Sequence, residues 1–151
     1  MEFSYRLTGT GWSEARLSDG ATEATVTASY LSDALGVLLE AVGTLLEGAE
    51  EARCSWEEEP GEYRWIFLRR GDLVELRVLA FPDLWGEQPD GEGSLVFETR
   101  QGLRETATAI ADGAADVLAE HGEEGYLAKW VDAPFPTAHL DLVRQLLAQQ
   151  R

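Results

Sequence analysis

Cysteine and lysine occur once each in this chain and histidine twice, and those scarcities exclude several chemistries before any pattern is considered. A lone thiol, Cys54, cannot close an internal disulfide, and no Cys/His set stands around it with the spacing of a zinc site. A reducing cytoplasm is therefore the expected home. Basic charge is also short: 12 Lys+Arg face 28 Asp+Glu, a formal net charge of -16. Such a surface repels polyanions, which excludes nucleic acid and anionic membrane as natural partners and favours a basic or neutral protein. Long apolar runs are missing, and the opening residues Met1-Glu2-Phe3-Ser4-Tyr5-Arg6 lack the pattern of a signal peptide, so neither secretion nor membrane insertion is expected.

Catalytic motifs are lacking too. There is no Gly-x-Ser-x-Gly nucleophile turn and no His-Glu-x-x-His metal helix. Gly9-Thr10-Gly11-Trp12 and Gly91-Glu92-Gly93-Ser94 do not make a phosphate loop or a dinucleotide fingerprint, and their acidic flanks suit a phosphate poorly. His121 reads as a local partner of its helix's negative end and His139 as a surface or boundary residue, rather than as bases. No catalytic residue, metal ligand or cofactor is assigned on these grounds.

What is present is a foldable chain. The 44% hydrophobic content, with 5 Trp, 4 Tyr and 5 Phe, argues against disorder. A chain of 151 residues buries roughly two-thirds of its unfolded surface and supports one core, so residues 1–151 are expected to form a single domain. Trp12 to Leu17 and Thr22 to Ala28 flank Ser18-Asp19-Gly20-Ala21 and read as a hairpin after a short opening strand. Ala24, Val26 and Ala28 share one face of it, and Glu23, Thr25 and Thr27 the other.

From Leu31 the apolar period lengthens: Leu31, Leu35, Leu38, Val42, Leu45 and Ala49 line one side of a helix, with Ser29 or Ser32 as the cap and Gly48 as the stop. Cys54 to Glu59 leads into a Pro60-Gly61 turn, then Arg64 to Arg69 and Val74 to Leu79 alternate as strands around Gly71-Asp72. Val74, Leu76 and Val78 make a clean inner face. Trp65 and Phe67 oppose Ile66, which requires an extra element to cover one side. Leu95 to Phe97 supply another strand. A second helix is expected from near Gly102 to Glu120, with Leu103, Ala107, Ile110, Ala114 and Val117 inward and Gly122 ending it. Pro134-Phe135-Pro136 interrupts, and Thr137 caps a final helix through Leu147. The sum is an α+β fold: one antiparallel sheet of about five or six strands, two longer helices on one face and a short C-terminal helix.

Two segments stand out for recognition. The polar loop between Phe81 and Gly93 carries Trp85, framed by Pro82, Gly86, Pro89 and Gly91, together with Asp83, Glu87 and Asp90. The run Glu57, Glu58, Glu59 and Glu62 gathers carboxylates around one turn, without the spacing of a calcium loop. These eight residues form the expected partner-binding set. The corresponding function is an acidic cytoplasmic protein-interaction module for a basic or neutral protein partner; a small-molecule-binding or enzymatic domain is the alternative, distinguished by a deep pocket with converging polar groups. Trp56 and Trp65 are expected to meet across a hairpin or in the core, and Trp12 and Trp130 to lie at its boundary.

Over about half the chain, chiefly Ala28-Ser29-Tyr30-Leu31-Ser32-Asp33-Ala34-Leu35 and Glu59-Pro60-Gly61-Glu62 with the following strand, the sequence resembles a functionally uncharacterised family of small acidic proteins from high-GC actinobacteria. More generally it resembles toxin-immunity proteins, many of which are small, acidic and α+β. That resemblance implies a protein partner, and no toxin-binding motif carries over to particular residues.

Overall fold

The computed structural model describes residues 1–83, 88–131 and 133–149. Among the described residues, seven strands and three α-helices follow one another in the order β1 (Glu2–Gly9), β2 (Trp12–Ser18), β3 (Glu23–Ser29), α1 (Ala34–Leu46), β4 (Glu51–Glu57), β5 (Glu62–Arg70), β6 (Leu73–Phe81), β7 (Ser94–Gly102), α2 (Leu103–Trp130) and α3 (Thr137–Gln149). The α+β class is as expected from the alternating periods. The single sheet is not: the strands form two antiparallel sheets, β1-β2-β3 and β4-β5-β6-β7. Each is a meander, since strands consecutive in the chain are neighbours in the sheet, joined by short turns except for the longer connection between β6 and β7. The helix α1 intervenes between β3 and β4, so the two meanders pair separately.

The helices do not share one face as expected. The first sheet meets α2 along β1, whereas α1 runs beside β4, and α3 braces both helices. At Gly113 the approach of α2 to β1 is so close that an added Cβ would lie 2.5 Å from the Phe3 ring. The C-terminal helix is also no shorter than α1, at 13 residues each.

One cluster of buried side chains draws on both sheets and all three helices. Ala15, Leu17, Val26 and Ala28 contribute from the first sheet; Trp56, Trp65, Phe67, Leu76 and Val78 contribute from the second. Trp65 and Phe67 thus share the core face with the clean stripe of β6, a consequence of the register Trp65 with Val78 and Phe67 with Leu76. The opposite face of that sheet has its own small apolar cluster, Ile66, Leu79 and Phe81.

Helix boundaries follow local chemistry. Asp33, rather than Ser29 or Ser32, caps α1, its carboxylate accepting from the Gly36 N–H at 3.2 Å. Leu31 therefore falls outside the helix and is exposed, while Leu35, Leu38, Leu39, Val42, Leu45 and Leu46 are buried. In α2, Gly122 adopts φ 68 and breaks the helical path where a stop was expected, but about two further turns continue to Trp130. That extension brings Tyr126 and Trp130 into the core, so Trp130 is buried rather than a boundary residue. Burial of two large aromatic rings outweighs the glycine break.

Candidate functional site

The carboxylates of the β4–β5 hairpin are brought together by register. Glu57 and Glu62 are cross-strand partners, and Glu58 and Glu59 occupy the turn beyond them. They are not equivalent. Glu62 is buried and accepts from Ser55 Oγ at 2.7 Å, with Arg64 Nε 3.5 Å away. Glu58 accepts from Thr27 Oγ1 at 2.9 Å. Glu59 is exposed and Glu57 half-buried. Partial burial raises the Glu57 carboxyl above its ordinary range, and the negative charges of Glu62 and Glu59 push the same way. The hairpin is strapped to the end of β3: Ser29 Oγ donates to the Glu57 carbonyl at 3.0 Å, and the Glu57 N–H donates to Ser32 Oγ at 3.2 Å.

Of the loop residues expected to bind a partner, Asp83 is exposed, and Trp85 and Glu87 lie outside the described residues. Asp90 is engaged internally. Its carboxylate accepts from both guanidinium nitrogens of Arg53 and, at 2.8 Å, from Arg64, which also donates to the Gln88 carbonyl at 2.8 Å. Hydrogen bonds from Arg53 and then Arg64 hold the Asp90 carboxyl down at about 2. Arg64 stacks 4.2 Å above the Phe81 ring, and Gly93 rests against Phe81 and Leu79. The return of the chain from Gln88 to Gly93 thus lies against Arg64, Leu79 and Phe81 of the neighbouring strands.

The tryptophans divide sharply. Trp56 and Trp65 meet at 4.8 Å between ring centroids and, with Trp130, are fully buried. Trp12 is 37% exposed. Tyr30, Leu31, Leu127 and Val131 are likewise large, apolar and exposed, and they stand on segments linked to that of Trp12. Their neighbourhood is set by backbone contacts. Trp12 pairs with Ser29, the residue before Tyr30; the Gly11 N–H donates to the Lys129 carbonyl at 2.7 Å; and the Val131 N–H bonds to the Leu127 carbonyl. The Tyr30 ring lies over Gly11, where an added Cβ would sit 2.9 Å from Tyr30 Cδ1. The available sequence signal was Asp33: once it is taken as the cap, Tyr30 and Leu31 fall in the turn before α1, with no helix face to join.

The Cys54 thiol is buried, and burial raises its pKa, which leaves it a poor nucleophile at neutral pH. His121 lies 3.8 Å from Glu120 at the Gly122 break, and His139 stands in the first turns of α3. Among the described residues, no group of three or more His, Cys, Asp and Glu side chains is arranged to hold a metal ion. Among those residues too, no helix is long and apolar enough to cross a membrane.

Neither a protein-family model nor a curated protein matches the chain. Among solved structures, it is similar to a chain of the CdiA-CT/CdiI toxin and immunity complex from Enterobacter cloacae, with a TM-score of 0.48 and 12% identity over 76% of this chain and 94% of that one.

Proposed function

We propose that this protein is an acidic interaction module that binds a basic or neutral protein partner. The observation that carries the reading is the juxtaposition of the carboxylates of the Glu57–Glu59 turn with exposed aromatic and aliphatic side chains across the Ser29–Ser32 strap. Exposed apolar side chains grouped on a small domain mark contact surfaces, and acids beside them select and steer a cationic partner. Glu57, Glu58, Glu59 and Asp83 are the carboxylates we assign to the contact; Asp90 and Glu62 serve it indirectly, by holding the loop and the hairpin in place. An immunity role, in which this face covers a basic surface of a toxin, is the specific form of the reading that the charge suits, with the cytoplasm as the site of action.

Titration calorimetry with a partner co-purified from the source cell tests it. Raising the salt from about 50 to 300 mM shortens the screening length from roughly 14 to 6 Å, and a five- to tenfold loss of affinity is expected. Unchanged affinity would count against an electrostatic partner.

A further inference from the structure

The exposed apolar patch has no assigned role, and its construction limits what can occupy it. Three segments meet there: the β1–β2 turn, the turn before α1, and the last turn of α2. The Gly11 N–H bond to Lys129 ties the first to the third, and the Tyr30 ring over Gly11 ties the second to the first. Gly11 has φ 76 and no room for a side chain, so the close approach requires glycine. Leu31 is held outside the helix because its own N–H bonds to Ser29 Oγ at 3.4 Å and Asp33 starts the helix two residues later. The patch is therefore preassembled by backbone contacts, which lowers the cost of ordering it on binding.

Its surroundings are acidic. Glu57, Glu58 and Glu59 lie across the serine strap, and Glu14 shares the outer face of β2 with Trp12. Glu123 and Glu124 are exposed one turn before Leu127. Of the cations on these elements, Arg6 is paired with Glu14 at 3.2 Å and Arg16 with Glu23 at 3.8 Å, and Lys129 is exposed in the last turn of α2. A second copy of the chain would bring another charge of -16 to the same place, so self-association is opposed. A cationic occupant is attracted by the rim and also by the faces of Trp12 and Tyr30, since an aromatic face binds guanidinium or ammonium.

Resting on the reading that the partner is basic, we propose that Trp12, Tyr30, Leu31, Leu127 and Val131 form the docking surface, and that its occupant is a protein segment in which arginine or lysine alternates with apolar side chains. The apolar residues seat on the patch while the cations reach the acids around it. Trp and Tyr are the residue types that most often dominate interface energetics, which makes Trp12 and Tyr30 the anchors.

Two synthetic dodecapeptides of equal charge provide the probe, one alternating arginine with leucine and the other arginine with serine. Each is titrated into the isotopically labelled full chain at low salt, and amide shifts are mapped. The expected result is at least fivefold tighter binding of the arginine–leucine peptide, with shifts centred on residues 11–13, 29–32 and 127–131. The double variant Trp12→Ser, Tyr30→Ser should abolish that preference, and Trp85→Ala should leave it intact. If the double variant does not fold, Leu31→Ser with Val131→Ser makes the same test from the aliphatic side. Equal binding of the two peptides, or shifts centred on residues 83–93, would overturn the docking surface while leaving a basic partner in place. Binding of neither peptide would overturn both.

Discussion

At Asp90 two guanidinium groups converge on one carboxylate, and the consequence is a loop pinned to the sheet it crosses. Charge-assisted bonds of this kind stabilise by about 1.5–3 kcal/mol when sheltered, and by nearer 1 kcal/mol where water screens them, as at this half-buried pair. Asp90→Asn is expected to lower stability by about 1 kcal/mol and to raise amide exchange across residues 88–93, measured by hydrogen–deuterium exchange. Unchanged exchange there would mean that Phe81 packing alone holds the segment. Glu57 is the opposite case. Its carboxyl is raised by burial and by its neighbours, so ionisation at neutral pH costs stability. Glu57→Gln should therefore stabilise the fold at pH 7, by a few tenths of a kcal/mol to about 1, and lose that advantage below pH 4 as the native carboxyl protonates.

Among the elements, the contact between α2 and β1 is sensitive to a single atom group. A helix-interior glycine normally costs about 1 kcal/mol relative to alanine, so replacing it should help. At Gly113 the expectation reverses: the added Cβ would meet the Phe3 ring at 2.5 Å and the Phe3 carbonyl at 3.2 Å. Gly113→Ala is predicted to destabilise by about 1–2 kcal/mol in urea unfolding, and Phe3→Ala in the same background should recover part of the loss by freeing the ring's space. A stabilised single variant would show that the helix can shift away from β1 at little cost. The sequence made the small-residue face of α2 legible, and with it the close approach; which strand it approached was not legible, because Ala107, Ala111, Gly113 and Ala114 suit any flat neighbour. The continuation beyond Gly122 was equally hidden. A local rule that ends helices at glycine does not register Tyr126 and Trp130, which stand on the core side once the helix resumes.

For the molecule as a whole, pH acts through two opposed sets of carboxylates. Asp33 is raised by burial and Glu57 by burial and charge, whereas Asp90 and Glu75 are lowered by arginine hydrogen bonds. A raised carboxyl is stabilising below its unfolded value, and that contribution fades as pH rises through the folded one; acidification from pH 7 towards 5 thus begins to restore it. The Asp90 contribution is complete above its unfolded value of 3.8 and disappears as pH falls through about 2. With 28 acidic residues against 12 basic ones, mutual repulsion also eases as pH drops. Thermal unfolding should accordingly show a melting temperature that rises by a few degrees from pH 7 to 5 and falls steeply between pH 4 and 2. A flat profile from 7 to 5 would show that neither Glu57 nor the charge excess burdens the native state. Added salt at pH 7 should mimic part of the rise.

The alternation of periods two and three to four by itself determined the α+β class, the existence and order of nearly every element, the inward stripe of β6 and that of α1 from Leu35 to Leu45 but not its ends at Leu31 and Ala49, because each depends on neighbours along one segment. Composition likewise determined the acidic surface. Only the tertiary structure decided that the strands divide into two meanders, that Asp90 and Glu62 turn inward to arginine and serine while Glu59 stays free, and that the β1–β2 turn meets both Tyr30 and the end of α2. Those outcomes depend on contacts between different elements, some of them more than 100 residues apart, whose free energies compete with one another and leave no mark on local spacing.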